Sequence, residues 1–175
     1  NGSGLLTWIP NVTGALVLNG LEDCTTELLN KNMFIGASVG AKNTPGEGIS
    51  DYDGKRNTAV GIGSFAANTT GKFNVCFGSD TLSSNTTGTH NVAMGHDSLT
   101  KNLDGNYNTA MGYASGKNIT SGEFNTCIGQ QAGDTITDGT NNTCIGRLSD
   151  VAASQTYSIA LGAGASVSAN NTMVI

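Results

Sequence analysis

A five-residue phrase returns along this chain at a fixed distance, and that spacing limits the fold more than any single residue does. The phrase is Asn, a β-branched residue, a small residue, a large apolar residue and Gly. It stands at Asn57-Thr-Ala-Val-Gly61, Asn74-Val-Cys-Phe-Gly78, Asn91-Val-Ala-Met-Gly95, Asn108-Thr-Ala-Met-Gly112, Asn125-Thr-Cys-Ile-Gly129 and Asn142-Thr-Cys-Ile-Gly146, successive copies lying 17 residues apart. A looser copy, Asn32-Met-Phe-Ile-Gly36, precedes them, and a degenerate one, Ser158-Ile-Ala-Leu-Gly162, follows. A constant period of this kind means one structural unit stacked upon itself. The expected fold is all-β, a solenoid or β-roll with rungs of 17 residues.

Side chains alternate along a strand, so the second and fourth positions of the phrase share one face and the third takes the other. The fourth position is Val60, Phe77, Met94, Met111, Ile128 and Ile145; the third is Ala59, Cys76, Ala93, Ala110, Cys127, Cys144 and Ala160. Neither face is polar, which predicts burial on both sides. One coil can enclose only one of them. Identical neighbouring chains, intertwined or side by side, are the simplest cover for the other.

The rest of the repeat is turn chemistry. The Gly that closes each phrase suits positive φ or close backbone approach. A second glycine column, Gly71, Gly88, Gly105, Gly122 and Gly139, follows polar turns such as Asn68-Thr-Thr and Asn85-Thr-Thr. The leading asparagines form a column in which stacked amides can bond to one another. Phe65, Leu82 and Leu99 share a slot that becomes Gly116 and Gly133, so the cross-section is expected to narrow or change shape towards the C-terminus.

Composition excludes several functions. Only 12% of residues are charged and the net charge is -5, which is the wrong sign for contact with phosphates. No apolar run approaches the roughly 18 residues of a membrane span. Three of the four cysteines, Cys76, Cys127 and Cys144, occupy the slot that holds Ala elsewhere. They read as small buried fillers rather than metal ligands. Cys127 and Cys144 lie one repeat apart and would stack about 4.8 Å apart, where a disulfide is conceivable.

The organisation predicted is an irregular segment or cap over 1–31, its first four residues of linker composition, and a repeat solenoid over 32–175. A loop insertion at 44–54 lengthens one repeat. The phrase beginning at Asn171 stops before its Gly, which suggests that the native protein continues or was cut there.

The repeat Asn74-Val-Cys-Phe-Gly-Ser-Asp-Thr-Leu-Ser-Ser-Asn-Thr-Thr-Gly-Thr-His90 closely resembles one in the tail fibres of phages and related viruses. It is also similar to the head repeats of trimeric autotransporter adhesins of bacteria. The resemblance covers residues 32–175. It implies a homotrimeric fibre on a virion surface, as tail fibre or spike, that attaches to a host-cell glycan or protein receptor; a bacterial adhesin head at the cell surface is the alternative. It also implies a C-terminal intramolecular chaperone of the endosialidase type, absent from this chain, and carries over no catalytic residue and no cofactor.

Specificity is expected where the repeat breaks, because loops on a rigid scaffold carry function more often than the scaffold. Glu47, Asp51, Tyr52 and Asp53 in the insertion are therefore the candidate binding residues. The rival reading of that loop is a structural cap or stagger. Its acids lack the spacing of a calcium loop. His90 shares a slot with Phe73, Tyr107 and Phe124, as packed rings or as a surface ladder that stacks on sugars. His96 precedes Asp97, but no further ligand arrives at metal spacing. Asp80 and Asp97 share one slot and Asp104 and Asp138 another, which raises a polysaccharide-degrading β-helix as a further alternative. Without sign of a cleft, no enzyme is expected. Thr69-Thr70 and Thr86-Thr87 suggest an ice-binding rank that breaks at Leu103-Asp104. The glycosylation triplets at Asn68, Asn85 and Asn118 fall in turns and are explained by turn chemistry.

Overall fold

The computed structural model describes residues 15–17, 24–27, 32–43 and 53–175. Every regular element among them is a short strand. In chain order these are β1 (Ala15–Val17), β2 (Cys24–Glu27), β3 (Asn32–Ile35), β4 (Thr58–Val60), β5 (Val75–Phe77), β6 (Val92–Met94) and β7 (Thr109–Met111). There follow β8 (Thr126–Ile128), β9 (Thr143–Ile145), β10 (Asp150–Val151), β11 (Ile159–Leu161), β12 (Ser166–Val167) and β13 (Met173–Val174).

The molecule is a parallel β-solenoid whose rungs are the 17-residue repeats. Strands β3 to β9, then β11 and β13, stack in one ladder. From the Asn32 phrase to the Ser158 phrase consecutive copies pair residue for residue, as in Ala59↔Cys76 and Cys127↔Cys144. The last phrase, read from Asn171, pairs one residue later than that reading, Val174 standing opposite Ala160. At its N-terminal edge β2 pairs antiparallel with β3, and β1 with β2. A bare parallel edge would be a template for further strands; the antiparallel pair covers it. Towards the C-terminus the repeat shortens, Thr143 pairing with Ile159 and Ile159 with Met173. There β10 and β12 form a second parallel wall, and Val151 and Val167 carry the core.

The strand alternation resolves as a narrow inside and an apolar outside. The small column from Ala59 to Ala160 is buried to 1% exposure or less. Only small side chains fit there, because the coil interior must also hold Phe65, Leu82 and Leu99, all fully buried. The closing glycines are demanded twice over. From Gly36 to Gly146 their φ lies between +117° and +134°, and a Cβ on any of them would sit 2.3–2.9 Å from the carbonyl of the glycine one rung on.

Register is held by buried asparagine. Asn57 Oδ1 accepts from Asn74 N at 2.9 Å, Asn74 from Asn91 at 2.9 Å, and the chain of bonds runs on through Asn108, Asn125 and Asn142 to Ser158 N. From Asn57 to Asn125 each amide also donates to the glycine carbonyl that ends the same rung, as Asn91 Nδ2 does to Gly105 O at 2.8 Å, and Asn142 Nδ2 donates to Gln155 O at 2.7 Å. A slip of one residue would strand these amides without partners, each costing about 1–3 kcal/mol.

A second amide ladder is shorter. Asn68 donates to Asn43 Oδ1, Asn85 to Asn68 Oδ1 and Asn102 to Asn85 Oδ1, at 2.6–2.8 Å. One rung further its slot holds Ile119, then Ile136, both fully buried. That is the same rung at which Leu99 gives way to Gly116. The expected narrowing is offset: isoleucine enters from one slot as leucine leaves the other, and a Cβ on Gly116 would meet Ile119 Cδ1 at 3.1 Å and Leu99 Cδ2 at 3.0 Å.

Candidate functional site

Of the sequence-predicted binding residues, Glu47, Asp51 and Tyr52 lie outside the described residues. Asp53 lies within them, and its carboxylate accepts from Lys72 Nζ at 3.3 Å. That contact ties the end of the insertion to the next rung.

Among the described residues, the apolar face that the repeat phrase turns away from the coil interior forms a continuous surface stripe. From β5 to β9 the fourth position of the phrase points outward, and Phe77, Met94, Met111, Ile128 and Ile145 are 36–40% exposed. Ile35 and Val60, both half-buried, stand in line with them. Beside this ridge the second position, Val75, Val92, Thr109, Thr126 and Thr143, is half-buried. The stripe runs the length of the ladder, about 30 Å for seven rungs at roughly 4.8 Å each. With the adjoining columns it is four residues, about 13 Å, wide. Its projected area of about 400 Å² falls among the largest apolar patches of ordinary monomers, which are often functional.

An aromatic stack borders the stripe. The rings of Phe73, His90, Tyr107 and Phe124 follow one another at centroid distances of 4.8, 4.7 and 4.9 Å, with interplanar angles of 22°, 12° and 3°. The Arg56 guanidinium lies 5.5 Å from the Phe73 centroid, and Asn141 follows Phe124 in the slot. The faces on which a sugar ring would stack are turned to neighbouring rings, so this ladder offers solvent its edges. These residues sit at φ of 56–59°. Left-handed backbone costs an L-residue about 1–2 kcal/mol. Inter-rung bonds hold the corner, among them His90 N to Lys72 O at 3.1 Å.

The stacking also gathers polar groups from different repeats. Asp80, His96 and Asp97 each place a possible ligand atom within 4.8 Å of the others; Asp80 comes from the preceding rung, in the slot that Asp97 takes one repeat on. Asp97 already accepts from Lys117 Nζ at 2.9 Å, and His96 Nδ1 lies 3.6 Å from it. The hydrogen bond to Asp97 is the main reason the Lys117 ammonium's pKa is raised. Further along, burial and then repulsion from Asp150 raise the pKa of Asp134.

The threonine rank is engaged by the fold. Thr69, Thr86 and Thr120 hydroxyls donate to carbonyls one rung on at 3.0–3.2 Å. Of the glycosylation triplets, Asn68 and Asn85 are fully buried in the amide ladder, and Asn118 donates to the Asp134 carbonyl at 2.6 Å.

Comparison of this chain with family models, curated proteins and solved structures finds no match.

Proposed function

We propose that this chain is the shaft of a trimeric host-attachment fibre of a virus or phage, with a cell-surface glycan or protein as its receptor. One observation carries the self-association: an unbroken outward column of Phe77, Met94, Met111, Ile128 and Ile145 that nothing else in the described chain covers. A stable interface takes about 800 Å² from each partner. The projected stripe, about 400 Å² with its adjoining columns, is half that size before side-chain relief is counted. The occupant that fits is a second copy, because only the same repeat brings ridges of the same spacing over the whole length. Three copies about one axis follow from the resemblance to tail-fibre repeats.

This role suits the interior as well. Amide ladders and in-register strands give a stiff element rather than a deformable pocket, and a stiff element displays receptor-binding loops at a distance. The insertion around Asp53 would appear three times around the axis, turning weak single contacts into avidity. Sedimentation equilibrium is the test. The expected species has three times the 17.8 kDa of one chain, and Met94→Lys with Met111→Lys should dissociate it while leaving β-structure in place. A wild-type chain that sediments as a 17.8 kDa monomer overturns the reading. Glycan-array binding by the intact assembly then tests the receptor class.

A further inference from the structure

Cys127 and Cys144 stand directly opposite one another in adjacent rungs, paired in register between β8 and β9. Both thiols are buried inside the coil, at 1% and 0% exposure. Neighbouring parallel strands set their Cα atoms about 4.8 Å apart, inside the roughly 4.4–6.8 Å range that a disulfide spans. The Cys127 sulfur rests against Gly133: a Cβ there would lie 2.3 Å from it. The missing side chain is what leaves that sulfur its room. Cys76 occupies the same column, also buried and free, but its partners above and below are Ala59 and Ala93. The fold itself thus separates a cysteine pair from an isolated one.

We propose that Cys127 and Cys144 are a latent cross-link, an internal disulfide that staples two rungs when the chain folds in the presence of a small-molecule disulfide. This goes beyond the fibre assignment and does not depend on it. The chemistry is a two-step exchange. One cysteine, as thiolate, attacks the small disulfide, forms a mixed disulfide and releases one small thiol. The second cysteine, also as thiolate, attacks the protein sulfur and releases the other. The protein loses two protons and two electrons, and the small disulfide is reduced to two thiols. Exchange belongs to folding rather than to the finished coil. In the closed rung the hydrogen bond to Cys144, and then burial, raise the Cys127 thiol's pKa, and the thiolate is the attacking species. Once made, the bond is shielded from reductant by the same burial.

The test uses the whole chain, refolded in parallel with oxidised and reduced glutathione or with a strong reductant, then acid-quenched, denatured and alkylated. Trypsin cuts after Lys117 and Arg147 and nowhere between, so both thiols fall in one peptide. After oxidising refolding that peptide is expected to be lighter by two hydrogens and unalkylated, while the Cys76 peptide is fully alkylated. Cys144→Ala, which places at 144 the residue the column already carries at Ala110, should abolish the cross-link. At equal protein concentration the oxidised form should melt on the order of 5 °C above the reduced one. Full alkylation of Cys127 and Cys144 after oxidising refolding, or cross-linking of either to Cys24 or Cys76 instead, overturns the proposal.

Discussion

Asn102 and Ile119 occupy the same interior slot of successive rungs, and the second amide ladder ends between them. Asn102 still donates to Asn85 Oδ1 at 2.7 Å and to Gly105 O at 3.1 Å. Its own Oδ1 is buried without a hydrogen-bond partner, because the next residue in the column has no amide to give. The solenoid therefore has two kinds of interior, joined at this step. Before it, a large apolar side chain and an asparagine fill each rung; after it, a glycine and an isoleucine do.

That junction predicts strong coupling between Gly116 and Ile119. Ile119→Asn alone should restore an amide donor for Asn102 but leave a void, at about 2–4 kcal/mol. Gly116→Leu alone should clash with Ile119, although φ of +56° at Gly116 matches the +50° that Leu99 already adopts. The double variant recreates the preceding rung. Its cost should fall short of the summed single costs by at least about 1 kcal/mol, measured as chemical denaturation midpoints; strict additivity would mean that the two slots do not share space.

The main amide ladder predicts a large cost for a small change. Asn108 Oδ1 accepts from Asn125 N at 3.0 Å, and its Nδ2 donates to Gly122 O at 2.7 Å. Asn108→Ala leaves both groups buried and unpaired, which should cost roughly 2–4 kcal/mol. Hydrogen exchange at the Asn125 amide should accelerate with it, while amides several rungs away keep their protection.

Adjacent residues on opposite faces should respond oppositely. Ala110 is fully buried and Met111 is 39% exposed. Ala110→Leu should overpack the coil and cost about 1–3 kcal/mol per chain. Met111→Leu keeps the stripe apolar and should change melting little. Equal tolerance at the two positions would contradict the placement of the small column inside.

The carboxyl of Asp134 gives a pH dependence whose sign can be stated. Its folded pKa is raised, chiefly by burial and next by Asp150. Between the unfolded and folded pKa the native state binds more protons, so this group's contribution falls as pH rises through that window. Asp134→Asn keeps the oxygen that accepts from Asn118 and removes the charge. It should raise the melting temperature modestly at pH 7 and abolish the loss of stability that this group contributes as pH rises through that window.

Much of this architecture was legible in the order of residues. The period placed every strand from Thr58 to Ile145, because a 17-residue recurrence of Asn, small and Gly positions allows only stacking in register. The glycines that close the phrase betrayed themselves, since no other residue meets both positive φ and a carbonyl under 3 Å away. The slot that Cys76, Cys127 and Cys144 share with Ala sufficed to read them as small buried fillers. Other features left no such trace. Phe65, Leu82, Leu99, His90 and Tyr107 adopt left-handed backbone, where local preference would look for Gly or Asn; only bonds to the rungs on either side hold them there.

What the sequence determined by itself is the unit and its repetition, because hydrophobic alternation and turn chemistry are local and every copy restates them. What only the tertiary structure decided is which apolar face turns inward, and which distant residues meet. Ala and Cys go in and Phe, Met and Ile go out because a coil of this size has a fixed interior volume, and that volume is set by closure of the whole rung. The approach of His96 to Asp80, and the compensating entry of Ile119 against Gly116 and Leu99, belong to the same class. They are contacts between rungs, made by stacking in space and invisible until the chain has wound back upon itself.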